Sequence, residues 1–154
     1  MDIHTETLTS AETGALAARL AAFLLPGDVI NLSGDLGAGK TRFVQGLAAG
    51  LGIKEHVTSP TFAIIKEYKG GVIPLYHFDV YRLDRLAELS DLGYEDYFFG
   101  DGATVVEWGD KFKDILPASA LTLELTRPDD SDKRDLNFVF KDIRWQAIID
   151  AVLR

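Results

Sequence analysis

The residues of this chain best able to do chemistry stand together in Gly34-Asp35-Leu36-Gly37-Ala38-Gly39-Lys40-Thr41. The spacing fits G-x-x-x-x-G-K-[ST], with an apolar run, Val29-Ile30-Asn31-Leu32, before it and a helix-like run, Arg42 to Leu51, after it. Strand, glycine-rich turn and helix are the context that pattern requires. Gly34, Gly37 and Gly39 can take backbone angles barred to residues with a Cβ, so successive N–H groups can turn inward onto a phosphate. The start of the helix adds unpaired N–H groups and the positive end of its dipole. Lys40 is expected to reach the β- and γ-phosphates as a point charge, and Thr41 to place a hydroxyl on Mg²⁺. Asp35, Leu36, Gly37, Ala38, Gly39, Lys40, Thr41 and Arg42 thus form the candidate nucleotide-binding segment.

The supporting acid of such a site must come from another strand. Val72 to Asp79 is a largely apolar run ending in a carboxylate, as a Mg²⁺-supporting aspartate is presented in phosphate-loop enzymes, although an aspartate that merely ends a strand looks the same. Ala103 to Trp108 is a second buried-looking run ending in an acid, Glu107, a candidate for the metal or for the attacking water. The histidines, His4, His56 and His77, show no metal-ligand spacing, and His77 reads as packed beside its strand neighbours rather than catalytic. The absence of cysteine excludes thiol catalysis. No Asn-Lys-x-Asp is present to select guanine, so adenine is the expected base. Arg82 and Arg134 are candidates for a charge-stabilising arginine. A small-molecule kinase would share the loop, lysine and acid, but would also need an acceptor pocket and usually a basic lid. A nucleotide-sensing binding module is the other competing class.

The elements that must position these residues follow from pattern. Ile3 to Leu8 alternates weakly, as an edge strand does. A helix capped by Ser10 or Thr9 runs to Leu25 and is ended by Pro26-Gly27, with Leu16, Leu20, Phe23 and Leu24 on a core face. Asp28 to Ser33 feeds the phosphate loop. Val57 to Phe62 is a connector or a switch loop that moves with nucleotide state. Phe62 to Tyr68 and Val72 to Tyr81 flank a glycine pair as a hairpin, and Pro74 hints at a sheet edge. Leu83 to Leu92 reads as a short helix with Asp84 as cap, followed by an aromatic cluster, Tyr94, Tyr97, Phe98 and Phe99, that completes a core. Ala120 to Thr126 and Asp135 to Phe140 alternate like half-exposed antiparallel strands, and Asp142 to Leu153 closes the chain as a helix. The expected fold is an α/β P-loop NTPase domain spanning residues 1–154: a central, mostly parallel sheet with helices on both faces, extended by antiparallel strands.

Composition sets the outer bounds. The chain has 154 residues, 47% hydrophobic and 26% charged, and a net charge of −8, so an independent grip on nucleic acid is disfavoured and any involvement with RNA would run through partners. No apolar run approaches a membrane span and the N-terminus lacks a signal-peptide pattern, which makes the cytosol, a cytoplasmic location, the expected home.

Taken in order, Gly34 to Thr41, Ser59-Pro60-Thr61-Phe62, His77-Phe78-Asp79-Val80-Tyr81-Arg82-Leu83, Leu92-Gly93-Tyr94 with Tyr97-Phe98, and Val106-Glu107-Trp108 resemble the bacterial TsaE (YjeE) family over nearly the whole chain. That family is a small ATPase that works with two partner proteins, TsaB and TsaD, to form N6-threonylcarbamoyladenosine in tRNAs that read codons beginning with A. The resemblance implies ATP and Mg²⁺ as ligands, tRNA reached only through the complex, and no metabolite acceptor. It implies that Lys40 and Thr41 hold phosphate and Mg²⁺, that Asp79 and Glu107 complete the metal site or orient water, and that Ser59 and Thr61 belong to a switch loop. It also brings Arg134 near the nucleotide and Ser10, Glu12 and Thr13 near the adenine. One departure stands out: Glu107-Trp108-Gly109-Asp110 replaces an expected Glu-Trp-Pro-Glu, which implies a less rigid segment and no assured role for Asp110.

Overall fold

A computed structural model of the chain describes residues 1–60 and 62–154. Among the described residues seven strands form one sheet: β1 Asp2–Thr7, β2 Val29–Ser33, β3 Ile65–Tyr68, β4 Leu75–Asp79, β5 Ala103–Glu107, β6 Leu121–Thr126 and β7 Arg134–Val139. Their order is β1-β7-β6-β2-β5-β4-β3. The inner strands β6, β2, β5 and β4 are mutually parallel, whereas β3, β7 and β1 are added antiparallel at the two sides. β2, β4 and β5 are buried nearly throughout, as the apolar runs of parallel strands covered on both faces demand, while β6 alternates buried and open positions.

Helices α1 Ser10–Ala21, α2 Lys40–Gly50, α3 Leu86–Asp91, α4 Tyr94–Phe98 and α5 Arg144–Val152 are joined by a 3₁₀ segment, Gly109–Ile115. Period-2 alternation along the strands sorts side chains between two cores. Ile30, Leu32 and Val105 pack with Leu16, Leu20, Phe43, Leu47, Trp145 and Ile149 from α1, α2 and α5. Val29, Phe78 and Val106 pack on the other face with Leu89 of α3 and Phe98 of α4. The fold is therefore the mixed α/β arrangement with helices on both faces that the sequence predicts.

Several boundaries differ, each for a local reason. α1 stops at Ala21 because Ala22, Phe23 and Leu24 turn by i→i−3 bonds to Arg19, Leu20 and Ala21; the tighter turn leaves Phe23 41% exposed and keeps Leu24 in the core. β4 begins at Leu75, since the Val72 N–H is drawn to the Leu51 carbonyl at the end of α2. Pro74 marks no sheet edge: it precedes a strand paired on both sides, and its carbonyl accepts from Ala103. Asp84 is not a cap; α3 starts after Arg85 without a side-chain cap. Phe99 is exposed, but Phe98 is buried and Tyr94 and Tyr97 pack around it.

Candidate nucleotide site

The phosphate loop joins β2 to α2, and its glycines carry the predicted conformations: Gly34, Gly37 and Gly39 have φ of 150°, 82° and 102°. A Cβ on Gly34 would stand 2.6 Å from the Leu125 carbonyl oxygen, so the loop can lie against β6 only without a side chain there. Gly39 precedes α2 with no side-chain cap, and the first turn holds no acid; the orphan N–H groups are left for an external anion. The loop carbonyls are secured from outside: Arg134 donates from Nε to Ala38 O at 2.9 Å and from Nη2 to Gly37 O at 3.3 Å. Lys40 is buried, its Nζ 2.6 Å from Gly34 O and 4.0 Å from the centroid of the Trp108 ring. Burial pulls the Lys40 ammonium below its ordinary range, against the opposing pull of Glu107, Asp79 and Asp35.

The two strand-end acids are register partners, Asp79 of β4 opposite Glu107 of β5. They share the sheet face covered by α2, because Leu75 and Val105, each an even number of residues away, lie in that core. Both are buried, 4% and 3% exposed, and both act electrostatically on Lys40. Two acids brought together on one buried face offer oxygen donors of the kind a hard cation takes. All-oxygen donors, Asp79, Glu107 and the Thr41 hydroxyl beside Lys40, suit Mg²⁺. Among the described residues no three His, Asp or Glu side chains form a ready-made metal cluster.

A family model described as threonylcarbamoyl adenosine biosynthesis protein TsaE matches residues 7–136. The chain belongs to the TsaE family. It is 47% identical over 148 residues to the tRNA threonylcarbamoyladenosine biosynthesis protein TsaE of Bacillus subtilis, covering 96% of this chain and 92% of that one. Identity to the protein of the same name from Treponema pallidum is 45% over 116 residues, 75% of this chain and 83% of that one. A crystal structure of Bacillus subtilis YdiB superposes with a TM-score of 0.85 at 41% identity, covering 100% of this chain and 95% of that one.

The other candidates of this TsaE chain fall at graded distances from the loop. Arg42, on the first turn of α2, lays its guanidinium against Gly14, where a Cβ would meet Nη2 at 2.4 Å; this brings the start of α1 beside the nucleotide segment. Ser10 is exposed there. Glu12 and Thr13 are committed to the fold: Glu12 accepts from the Leu8 N–H at 2.7 Å, and the Thr13 hydroxyl bonds that of Thr7 at 2.6 Å. Asp35, Leu36 and Gly37 form the exposed tip of the loop, and Ala38 is buried beneath it. Ser59 is exposed in the segment after α2, while Thr61 lies outside the described residues. That segment is tied to α2 by Gln45, which donates to Val57 O, and to the acid by the Asp79 N–H, which donates to Ile64 O at 2.8 Å. Ile64 has φ of 68°, a strained conformation for a β-branched residue. Arg82 stacks its guanidinium on the Phe62 ring, 4.3 Å from the centroid.

Gly109, where proline is expected, has a physical reason: a Cβ would stand 2.4 Å from Asn31 Oδ1. The segment is also not loose, since Asn31 Nδ2 donates to Asp110 Oδ1 at 3.0 Å. The sequence reading gave Trp108 no role and read His77 only as packed beside its strand neighbours. Trp108 covers Lys40 from a left-handed backbone, φ 65°. His77 is wholly buried with Nε2 2.6 Å from Glu107 Oε2. Strand parity held the signal for the second, since His77 precedes Asp79 by two positions and shares its face. An open cavity of about 520 Å³ lies beside the loop, lined by Ser33, Asp35, Trp108, Asp110, Glu124 and Arg127 among others. Among the described residues no helix is long and apolar enough to cross a membrane.

Proposed function

We propose that the chain binds Mg²⁺ and ATP and hydrolyses the nucleotide slowly, as the cytoplasmic ATPase component of a complex with TsaB- and TsaD-type proteins that forms N6-threonylcarbamoyladenosine in tRNAs reading codons that begin with A. The observation that carries this reading is the register pair Asp79–Glu107 buried beneath an uncapped phosphate loop whose Lys40 both acids influence. The loop N–H groups and Lys40 bind and orient the phosphates, and Thr41, Asp79 and Glu107 would hold the ion. When bound, Mg²⁺ neutralises charge developing on the transferred phosphoryl group. Glu107 or Asp79 orients the attacking water, and burial under Trp108 excludes bulk solvent around Lys40. The segment through Ser59 and Thr61, joined by backbone to Asp79, reports the state of the site to partners.

The test is ATP hydrolysis by the purified chain, alone and with TsaB, TsaD and tRNA, with Lys40→Ala and Glu107→Ala as controls. Stimulation by the partners that both substitutions abolish is the expected result. Partners that neither bind nor stimulate would overturn the assignment to the complex. The cavity beside the loop is the feature that favours a phosphate acceptor instead, and transfer of the γ-phosphate to a metabolite without partners would support that second reading.

A further inference from the structure

His77 is 0% exposed, and nothing in the proposed chemistry uses it. Its Nε2 is the only hydrogen-bond partner of the Glu107 carboxylate among the described residues, at 2.6 Å from Oε2. Its Nδ1 is buried with no hydrogen-bond partner among the described residues. Register creates the contact: His77 lies opposite Val105 and Asp79 opposite Glu107, so His77 and Glu107 are diagonal neighbours on one face.

The unpaired nitrogen assigns the tautomer. A carboxylate oxygen accepts, so the short contact needs a proton on Nε2. A second proton on Nδ1 would bury an N–H without an acceptor, which is costly, whereas an unpaired lone pair on that nitrogen is the milder loss. We infer that His77 is a positioning residue whose Nε2–H fixes one oxygen of Glu107, committing it to the protein and reserving the other for the ion or the water at the γ-phosphate. The inference rests on the nucleotide reading above. It assigns His77 a task that a merely space-filling histidine would not have, and the same geometry is used when a metal ligand is held by a hydrogen bond from behind.

The experiment compares wild type with His77→Phe and His77→Gln. Glutamine places its Nε2 near the imidazole Nε2 and keeps a donor to Glu107; phenylalanine keeps the volume and loses the donor. Mn²⁺ binding is read by electron paramagnetic resonance with a non-hydrolysable ATP analogue, affinity for the same analogue is read in EDTA, and kcat and KM are read for ATP. His77→Phe is expected to weaken Mn²⁺ binding and lower kcat by about 10- to 100-fold, with metal-free analogue affinity unchanged and His77→Gln restoring most of the loss. If His77→Phe fails to fold, His77→Asn replaces it, because its amide stops at the Nδ1 position, short of Glu107. Imidazole ¹⁵N spectra of the wild-type chain without nucleotide are expected to show the Nε2–H tautomer. An Nδ1–H tautomer, or Mn²⁺ affinity and kcat in the donor-free variant equal to wild type, would overturn the inference and leave the nucleotide reading standing. Wild type that binds no Mn²⁺ with the analogue would overturn both.

Discussion

Gly46→Ala sets helix propensity against packing, and the structure says which wins. α1 and α2 meet through their smallest residues. A Cβ on Gly46 would stand 2.3 Å from the Gly14 carbonyl oxygen and 2.7 Å from the Ala17 Cβ, and one on Gly50 would meet Ala18 O at 2.4 Å. Propensity alone favours alanine in a helix interior by about 1 kcal/mol. The obstacle is backbone and cannot rotate away, and a carbon–oxygen contact needs about 3.3 Å, so the helices must part by roughly 1 Å. A gap of that size forfeits about half of the dispersion attraction of the atoms lining it, and those include Leu16, Leu20, Phe43 and Leu47. Overpacking of this kind costs about 1–3 kcal/mol, and the rigid partner puts this site at the upper end. After the propensity gain, a net loss of about 2 kcal/mol is expected, or a Tm lower by about 4–8 °C at this chain length. Urea unfolding measures it, with Ala49→Gly, on the exposed side of α2, as the control that loses propensity without touching α1. A Gly46→Ala chain as stable as wild type, or more so, would refute the packing argument.

Gly34→Ala is expected to weaken ATP binding by at least about tenfold while leaving the fold intact, because a Cβ would meet Leu125 O at 2.6 Å from a left-handed backbone and displace the loop, at a strain of about 1–3 kcal/mol; calorimetric titration with ATP checks it, and unchanged affinity would count against the proposed site. Tyr76 donates to Asp101, and that bond, with burial, raises the phenol from 10.0 to about 12. Its folded value is the higher, so its contribution is complete below the unfolded value and is lost as pH rises through about 12. Tyr76→Phe should therefore cost about 1–2 kcal/mol near neutrality, given that Asp101 is exposed and screened, and the gap to wild type in urea unfolding should narrow as pH climbs past 10.0; a gap that widens would contradict the assignment.

The loop and the two acids were legible because each depends on local chemistry: glycines where the backbone must turn, and a carboxylate where an apolar run stops. What the sequence concealed depends on pairings between distant segments. Phe23 follows Leu20 at helical spacing, yet the turn that removes it from the core is fixed by i→i−3 bonds and by Arg144, which donates to its carbonyl and grips Asp28. His77 reads as one more strand residue until β4 and β5 are placed side by side. Gly109 reads as a lost proline until Asn31, on the neighbouring strand β2, is found in the space a ring would need. Strand parity is local, but which strands are neighbours is not, and the roles of His77 and Gly109 require both.

The two longest helices end the loops before them in opposite ways, and the contrast bears on function. α1 is closed by its own chain: Thr9 accepts from the Glu12 N–H at 3.1 Å and the Glu12 carboxylate accepts from Leu8, an arrangement close to a capping box. α2 has none of this; a left-handed glycine precedes it and its first turn offers no acid. Around that open end stand other features that individually oppose folding: the buried Lys40, two buried carboxylates, and left-handed conformations at Trp108 and Ile64. Among the described residues the buried lysine, aspartate and glutamate, Lys40, Asp79 and Glu107, and the left-handed non-glycine residues, Trp108 and Ile64, all belong to this group, so these costs are not scattered as random imperfections would be. A sequence that relaxes them one at a time gains stability, for instance an acid in the first turn of α2 or a Lys40→Met exchange, and should lose nucleotide binding as it does so. Such a trade, measured as rising Tm with falling ATP affinity in the same variants, is what distinguishes an end of the sheet built around a phosphate and a cation from one that is merely poorly capped.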